Sequence, residues 1–257
     1  MPAVTLLEKV YGSLSLKAFE AAFSPLLQGL RIKWKVVGET DRGWVQLEFS
    51  GEDETATLHY ISQKIGLAPV SIENVKKSSA MRGKIVFLGE RKDSLHVDLG
   101  VFSPKICDAT VSLQRLQAQL ADGKSLPLQR LIELFCLRDN TPLEVKILGD
   151  ADVHMGLVEA ELSELQLSQF VKWVRSNLDR LLVMGAPLSN VERAVKVSRH
   201  FRDIIRIESL SLFEHAVLCK LGTDAVGLIP KLGPLLPTAI LAPFSPRKIR
   251  QIVGKRF

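Results

Sequence analysis

Cysteine is scarce and scattered. Cys107, Cys136 and Cys219 are the only three in 257 residues, and no two form a CxxC pair. That spacing speaks against a zinc ribbon and for free, buried thiols in a reducing compartment. His215 and Cys219 form the single Cys/His pair at i,i+4 spacing, and no second pair follows to complete a metal site. Long apolar runs are missing too. Residues 181–186 and 237–243 fall well short of the roughly 20 residues that span a bilayer. Residues 1–7 lack a basic n-region followed by an apolar core, so the expected setting is the cytoplasm, away from membranes.

Signatures of chemistry are equally thin. There is no GxGxxG and no Gly-Lys-Ser/Thr phosphate loop. The five histidines (His59, His96, His154, His200, His215) and the lone serines form no readable triad or acid/base pair. No catalytic residue, metal or cofactor is therefore expected, and an enzyme stands as the alternative reading.

What is present is an uneven distribution of charge. The net charge is +6. Residues 1–80 hold 9 basic and 9 acidic side chains, residues 81–161 hold 10 and 12, and residues 162–257 hold 15 and 7. The basic excess belongs to the last third, which directs any polyanion contact there.

Periodicity divides the chain into an α+β assembly of three modules. Residues 1–80 read β-α-β-β-α-β, the order of a ferredoxin-like domain. In its first helix Leu16, Phe19, Phe23 and Leu26 form one apolar stripe behind a Ser13 or Ser15 cap. The strand at 31–37 alternates basic Arg31, Lys33 and Lys35 with apolar partners. The open sheet face offers Lys33, Lys35, Trp44, Gln46 and Glu48. It lacks the aromatic pair of an RNA-recognition module, so it reads as a solvated or docking face.

Residues 81–162 give three strands, a helical insertion and two strands, the order of an OB-like barrel. Its opening hairpin turns at 90–93. One hairpin face carries Ile85, Phe87, Leu95, Val97 and Leu99; the outer face carries Lys84, Ser94, His96 and Asp98. The Gly83-Lys84-Ile85 opening and the Val97-Asp98-Leu99-Gly100 strand resemble RNA-binding barrels of ribosomal and translation proteins. Residues 163–257 switch to apolar strands between helices. A small α/β domain with a parallel sheet is expected there, with 212–221 helical and a basic tail at 247–256.

The run Lys220-Leu221-Gly222-Thr223-Asp224-Ala225, followed by Gly227-Leu228-Ile229-Pro230, resembles an archaeal family known only as a domain of unknown function. The Arg202–Ile205 segment and the barrel start at 82–89 fit the same family. The resemblance implies an archaeal cytoplasmic origin and supplies no catalytic residues.

The partner-facing candidates are basic. A helix over 189–201, capped by Ser189 with Glu192 in a capping box, carries Arg193, Lys196 and His200 on one face, with Arg199 and Arg202 beside it. Arg247, Lys248 and Arg250 follow in the tail. Lys84, Arg91, Lys92 and Lys105 make a basic edge on the barrel. Such point charges suit phosphate contacts, so the expected role is a non-enzymatic RNA- or ribosome-associated factor. A solvated helix face is the plain counterpart of that reading, and a protein partner docked on the acidic barrel is a further one. The enzyme alternative places a nucleotide or cofactor near Gly185-Ala186-Pro187 or Gly222-Thr223-Asp224, where tight turns account for the same residues.

Overall fold

The structure is a computed structural model that describes residues 3–88, 93–152 and 154–254. Among these no helix is long and apolar enough to cross a membrane.

The N-terminal module runs β1 (Val4–Lys9), α1 (Leu16–Phe23), β2 (Ile32–Glu39), β3 (Trp44–Gly51) and α2 (Glu54–Lys64). Ser15 caps α1 by accepting the Ala18 amide, and the stripe buries Phe19 and Phe23 against Leu6, Val45, Leu47 and Phe49. The sheet has three strands in the order β1-β3-β2, all antiparallel. A fourth was expected at 70–75. Instead the chain at 66–68 follows β1 through a single bridge, Leu6 to Leu67. The short β4 (Val70–Ser71) then leaves to pair in parallel with the barrel.

The middle module is a closed five-stranded barrel. Its strands are β5 (Ala80–Val86), β6 (Ser94–Ser103), β7 (Cys107–Ser112), β8 (Pro142–Ile147) and β9 (Leu157–Leu162). The pairing runs β6-β5-β8-β9-β7 and closes through β6–β7, with β7 and β9 parallel. That is the strand order expected of an OB-like barrel. The helical insertion is α3 (Leu113–Leu120) and α4 (Leu128–Phe135). The tip of the opening hairpin, 89–92, lies outside the described residues.

The last third corrects the expectation most. It contains α5 (Glu164–Arg175), β10 (Arg180–Met184), α6 (Leu188–Val197), β11 (Ile204–Ser209), β12 (Glu214–Cys219), α7 (Ala225–Leu232), β13 (Ile240–Phe244) and α8 (Pro246–Val253). The sheet order is β11-β12-β10-β13 and every pairing is antiparallel. Residues 214–219, read from sequence as helical, form the strand inserted between β10 and β11. The apolar run of β10 reflects burial on both faces, not parallel pairing. Leu181 and Val183 face α6 and α7, whereas Leu182 and Met184 join the core shared with the barrel. The β-α-β-β-α-β order expected of the first eighty residues is thus realised in full here. Residues 247–253 of the expected tail belong to α8, which packs Ile249 and Val253 into the barrel-side core; residues 255–256 lie outside the described residues.

Candidate functional site

β1 ends in Glu8 and Lys9, two charged residues only 1% and 2% exposed. Ionised groups at that depth need close partners, because hydration is lost. Each finds them in another module.

Glu8 meets β5 and β12. The Lys84 ammonium donates to Glu8 Oε2 at 2.9 Å and to Glu214 Oε2 at 2.8 Å. Glu8 Oε1 accepts the Leu212 amide at 2.8 Å. Tyr11 and Ser211 donate their hydroxyls to the two oxygens of Glu214. All three modules therefore converge on one buried ammonium. Phe213, beside Glu214, reinforces the joint by inserting into the N-terminal core.

Two carboxylates surround that single ammonium, so the cluster carries an excess negative charge in a dry setting. Burial pushes the Glu214 carboxyl up to about 7, against the opposing pull of Lys84 and with a further push from Glu8. Burial also pulls on Lys84, but Glu214 and Glu8 outweigh it and hold the ammonium above its ordinary value. Burial and Glu214 together raise Tyr11, which stays a neutral donor. Burial lowers the neighbouring His215, which is held as a neutral ring. Its Nε2 lies 3.0 Å from the Ala186 carbonyl, which can only accept, so Nδ1 accepts from Ser209 Oγ at 3.1 Å.

A pH dependence follows. The folded-state pKa of Glu214 lies above its unfolded value. Its contribution to stability is therefore complete below the ordinary carboxylate range and is lost as pH rises to about 7. Across that window the slope reaches up to about 1.4 kcal/mol per pH unit. Glu214→Gln keeps an acceptor for the hydroxyls and removes the titration. Urea unfolding between pH 5 and 8 should show the wild-type-minus-variant difference falling with pH; a difference that stays flat would contradict the assignment.

The second cluster joins β1 and β3 to the barrel. Lys9 Nζ lies 2.5 Å from Asp98 Oδ2 and 4.4 Å from the Trp44 ring centroid. Trp44 Nε1 donates to the same oxygen at 3.1 Å. Arg42 reaches Asp108 at 2.5 Å and Asp98 at 3.5 Å. The open face of the N-terminal sheet is accordingly a docking face at its Trp44 end and solvated at Lys33 and Lys35.

A cavity of about 960 Å³ opens beside the first cluster, between α1, α5, the start of α6 and the barrel. Lys84, Glu8 and His215 lie at its polar side; Leu26, Phe135, Phe170 and Leu188 supply apolar wall. Lys84 and Glu8 are already bonded to one another and to neighbouring groups.

These positions correct the reading of the hairpin's outer face. Lys84 and Asp98 are buried against the N-terminal module and His96 is buried as well, and Lys84 offers nothing to a phosphate. The signal was present in sequence as isolated charges within apolar strands: Glu8-Lys9 in β1, Lys84 in β5 and Glu214 in β12. Arg91 and Lys92 lie outside the described residues. His215 and Cys219 sit on a strand instead of a helix. Asp224 accepts the Val226 amide at 2.9 Å and caps α7, as a turn former does. Because the sheet is antiparallel, the Gly185 strand end lacks the parallel-sheet crevice that favours a ligand.

The basic surface is divided. Arg193 and Lys196 are exposed on α6, and Arg199 and Arg202 on the turn that follows. α6 ends at Val197 because Arg199 adopts a left-handed conformation, φ 62°. Pro187 precedes α6 without a side-chain cap, so the expected Ser189 capping box is not formed. His200 leaves the helix face and pairs with Asp203 at 2.7 Å. Arg247 and Lys248 are exposed on α8, which belongs to the barrel-side layer, while α6 covers the opposite sheet face. Arg250 is structural, donating to the Val174 carbonyl at 2.9 Å. Of the basic residues expected to hold phosphates, Arg193, Lys196, Arg199 and Arg202 are exposed together along one segment, α6 and the turn after it.

Comparison with known proteins supplies a family and no activity. No curated protein matches the sequence. A Thermus thermophilus protein of known crystal structure is 15% identical over 98% of this chain, with a TM-score of 0.16, too low to support any argument. This chain spans 42% of that protein. The DUF2110 N-terminal domain matches residues 3–69 and the DUF2110 C-terminal domain residues 178–243, the two sheet modules that flank the barrel. With just over half of its length matched by these two domains, the chain belongs to the DUF2110 family.

Proposed function

We propose that the protein is a non-enzymatic RNA- or ribosome-associated factor that holds phosphates on the outer layer of its C-terminal module. The observation that carries this reading is the run of exposed basic residues Arg193, Lys196, Arg199 and Arg202 along α6 and the turn after it, with Arg202 lying over the exposed ring of Phe201. The ion pairs of this region among the described residues are His200–Asp203, Arg206–Glu208 and Arg180–Glu208. They leave Lys196, Arg199 and Arg202 without a carboxylate, free for counterion exchange with a polyanion. Arg247 and Lys248 lie on another layer and extend the contact only for a partner that wraps the edge of the module.

Ultraviolet crosslinking of bound RNA to the intact protein, read by mass spectrometry, tests the placement. Crosslinked peptides should map to residues 188–206. Crosslinks confined to the barrel strands would move the site, and nuclease-resistant capture of a protein would favour the scaffold reading.

A second reading rests on the junction cavity, where Glu214 is held near neutrality and a small ligand has room. It ranks below the first because the charged groups there are occupied by one another.

A further inference from the structure

Phe201 is 56% exposed, in a chain that fully buries Phe19, Phe23, Phe213 and Phe244. Its exposure follows from the backbone. α6 stops at Val197, Arg199 turns left-handed, and the short turn His200–Asp203 carries the ring outward before β11 begins. Val197, 60% exposed, and Ile205, 49% exposed, flank it in sequence. The Arg202 guanidinium carbon sits 5.8 Å from the Phe201 ring centroid. An exposed aromatic ring with a guanidinium over it and further basic residues close by in sequence is a candidate interaction site.

The rim narrows the choice of partner. Of the nearby acids, Asp203 is engaged by His200, and Glu208 by Arg206 and Arg180. Glu192 remains exposed on α6, one helical turn before Lys196. The surroundings of the ring are thus basic, matched to a partner that combines flat apolar faces with regular negative charge. Nucleic-acid bases and phosphates have those properties together. In a duplex the base faces are stacked inside, and the narrow A-form major groove admits no side chain. Only a splayed base can lie on Phe201.

We propose that the patch binds single-stranded RNA, stacking one unpaired base on Phe201 while Lys196, Arg199 and Arg202 hold the flanking phosphates. This rests on the RNA reading above and adds the strand state and the stacking residue.

The test is fluorescence anisotropy of the full-length protein with an unstructured oligouridine and with a blunt RNA duplex of equal length. Phe201→Ala, at an exposed position, should weaken single-strand binding about tenfold or more, the usual effect of removing a stacking ring. Duplex affinity and the salt slope should stay unchanged, because the basic residues that hold phosphates are all still in place. Phe201→Trp should keep single-strand affinity and show quenching of its added fluorescence on binding. Equal losses for single strand and duplex, or no loss with Phe201→Ala, would overturn the stacking assignment while leaving RNA binding in place. Wild-type protein that binds neither RNA at low salt would overturn both.

Discussion

Lys84→Met should lower the unfolding free energy by about 3–5 kcal/mol, the typical cost of removing one partner from a buried ion pair. Methionine fills the volume of the lysine stem, so the loss measures charge and not a cavity. Without the ammonium, Glu8 and Glu214 face one another across a site that water does not reach. Glu214, already raised by burial and by Glu8, loses the opposing pull of Lys84 and must take up a proton to stay buried. Its folded-state pKa then rises further above the unfolded one, so the defect grows as pH increases through neutrality. Urea denaturation at pH 5 and pH 8 reads this directly, with a larger deficit at pH 8. An equal deficit at both values would mean that packing, not charge, is what the lysine contributes. A triple variant with Glu8→Gln and Glu214→Gln added should recover most of the loss, since replacing every charge of a buried cluster is far milder than replacing one.

The barrel was legible because its signals are local. Alternation in β5 and β6 and the helices between β7 and β8 describe a closed barrel strand by strand. The N-terminal helices were legible for the same reason, with Ser15 the one of the two cap candidates that caps α1. The C-terminal sheet was not. A strand buried on both faces reads as an apolar run whether its neighbours are parallel or antiparallel, and Leu181–Val183 is packed between two cores. Residues 214–219 carry the same ambiguity, being apolar throughout except for Glu214 and His215. Charged residues misled in the opposite direction. Lys84 and Asp98 alternate with apolar neighbours as solvent-facing positions do, and only the docking of another module buries them. Long-range partners such as Glu8 and Glu214, 76 and 130 residues from Lys84, leave no trace in local spacing. The exposure of the basic residues of α6 and its following turn was legible because surface charge needs no partner to be read. Phe201 was passed over because an aromatic near a helix end is ordinarily buried.

The second large effect concerns those basic residues. Replacing Arg193, Lys196, Arg199 and Arg202 together with alanine removes four point charges that sit on exposed surface. None bridges the modules: Arg193 donates to Asn190 within α6, and Arg202 lies over Phe201. The variant should therefore fold with nearly unchanged stability. Each phosphate that the variant no longer neutralises reduces the dependence of log affinity on log salt by about 0.7 for a single strand. Four such phosphates imply a slope reduced by about three and, near 0.1 M salt, an affinity weaker by a factor on the order of several hundred.

The most direct measurement is this salt titration, made in parallel on the wild-type protein and the four-alanine variant with one unstructured RNA. The wild type should bind with a steep negative slope, and the variant should bind weakly with a slope shallower by about three. Parallel lines of equal slope and affinity would place the polyanion contact elsewhere and contradict the assignment of this surface.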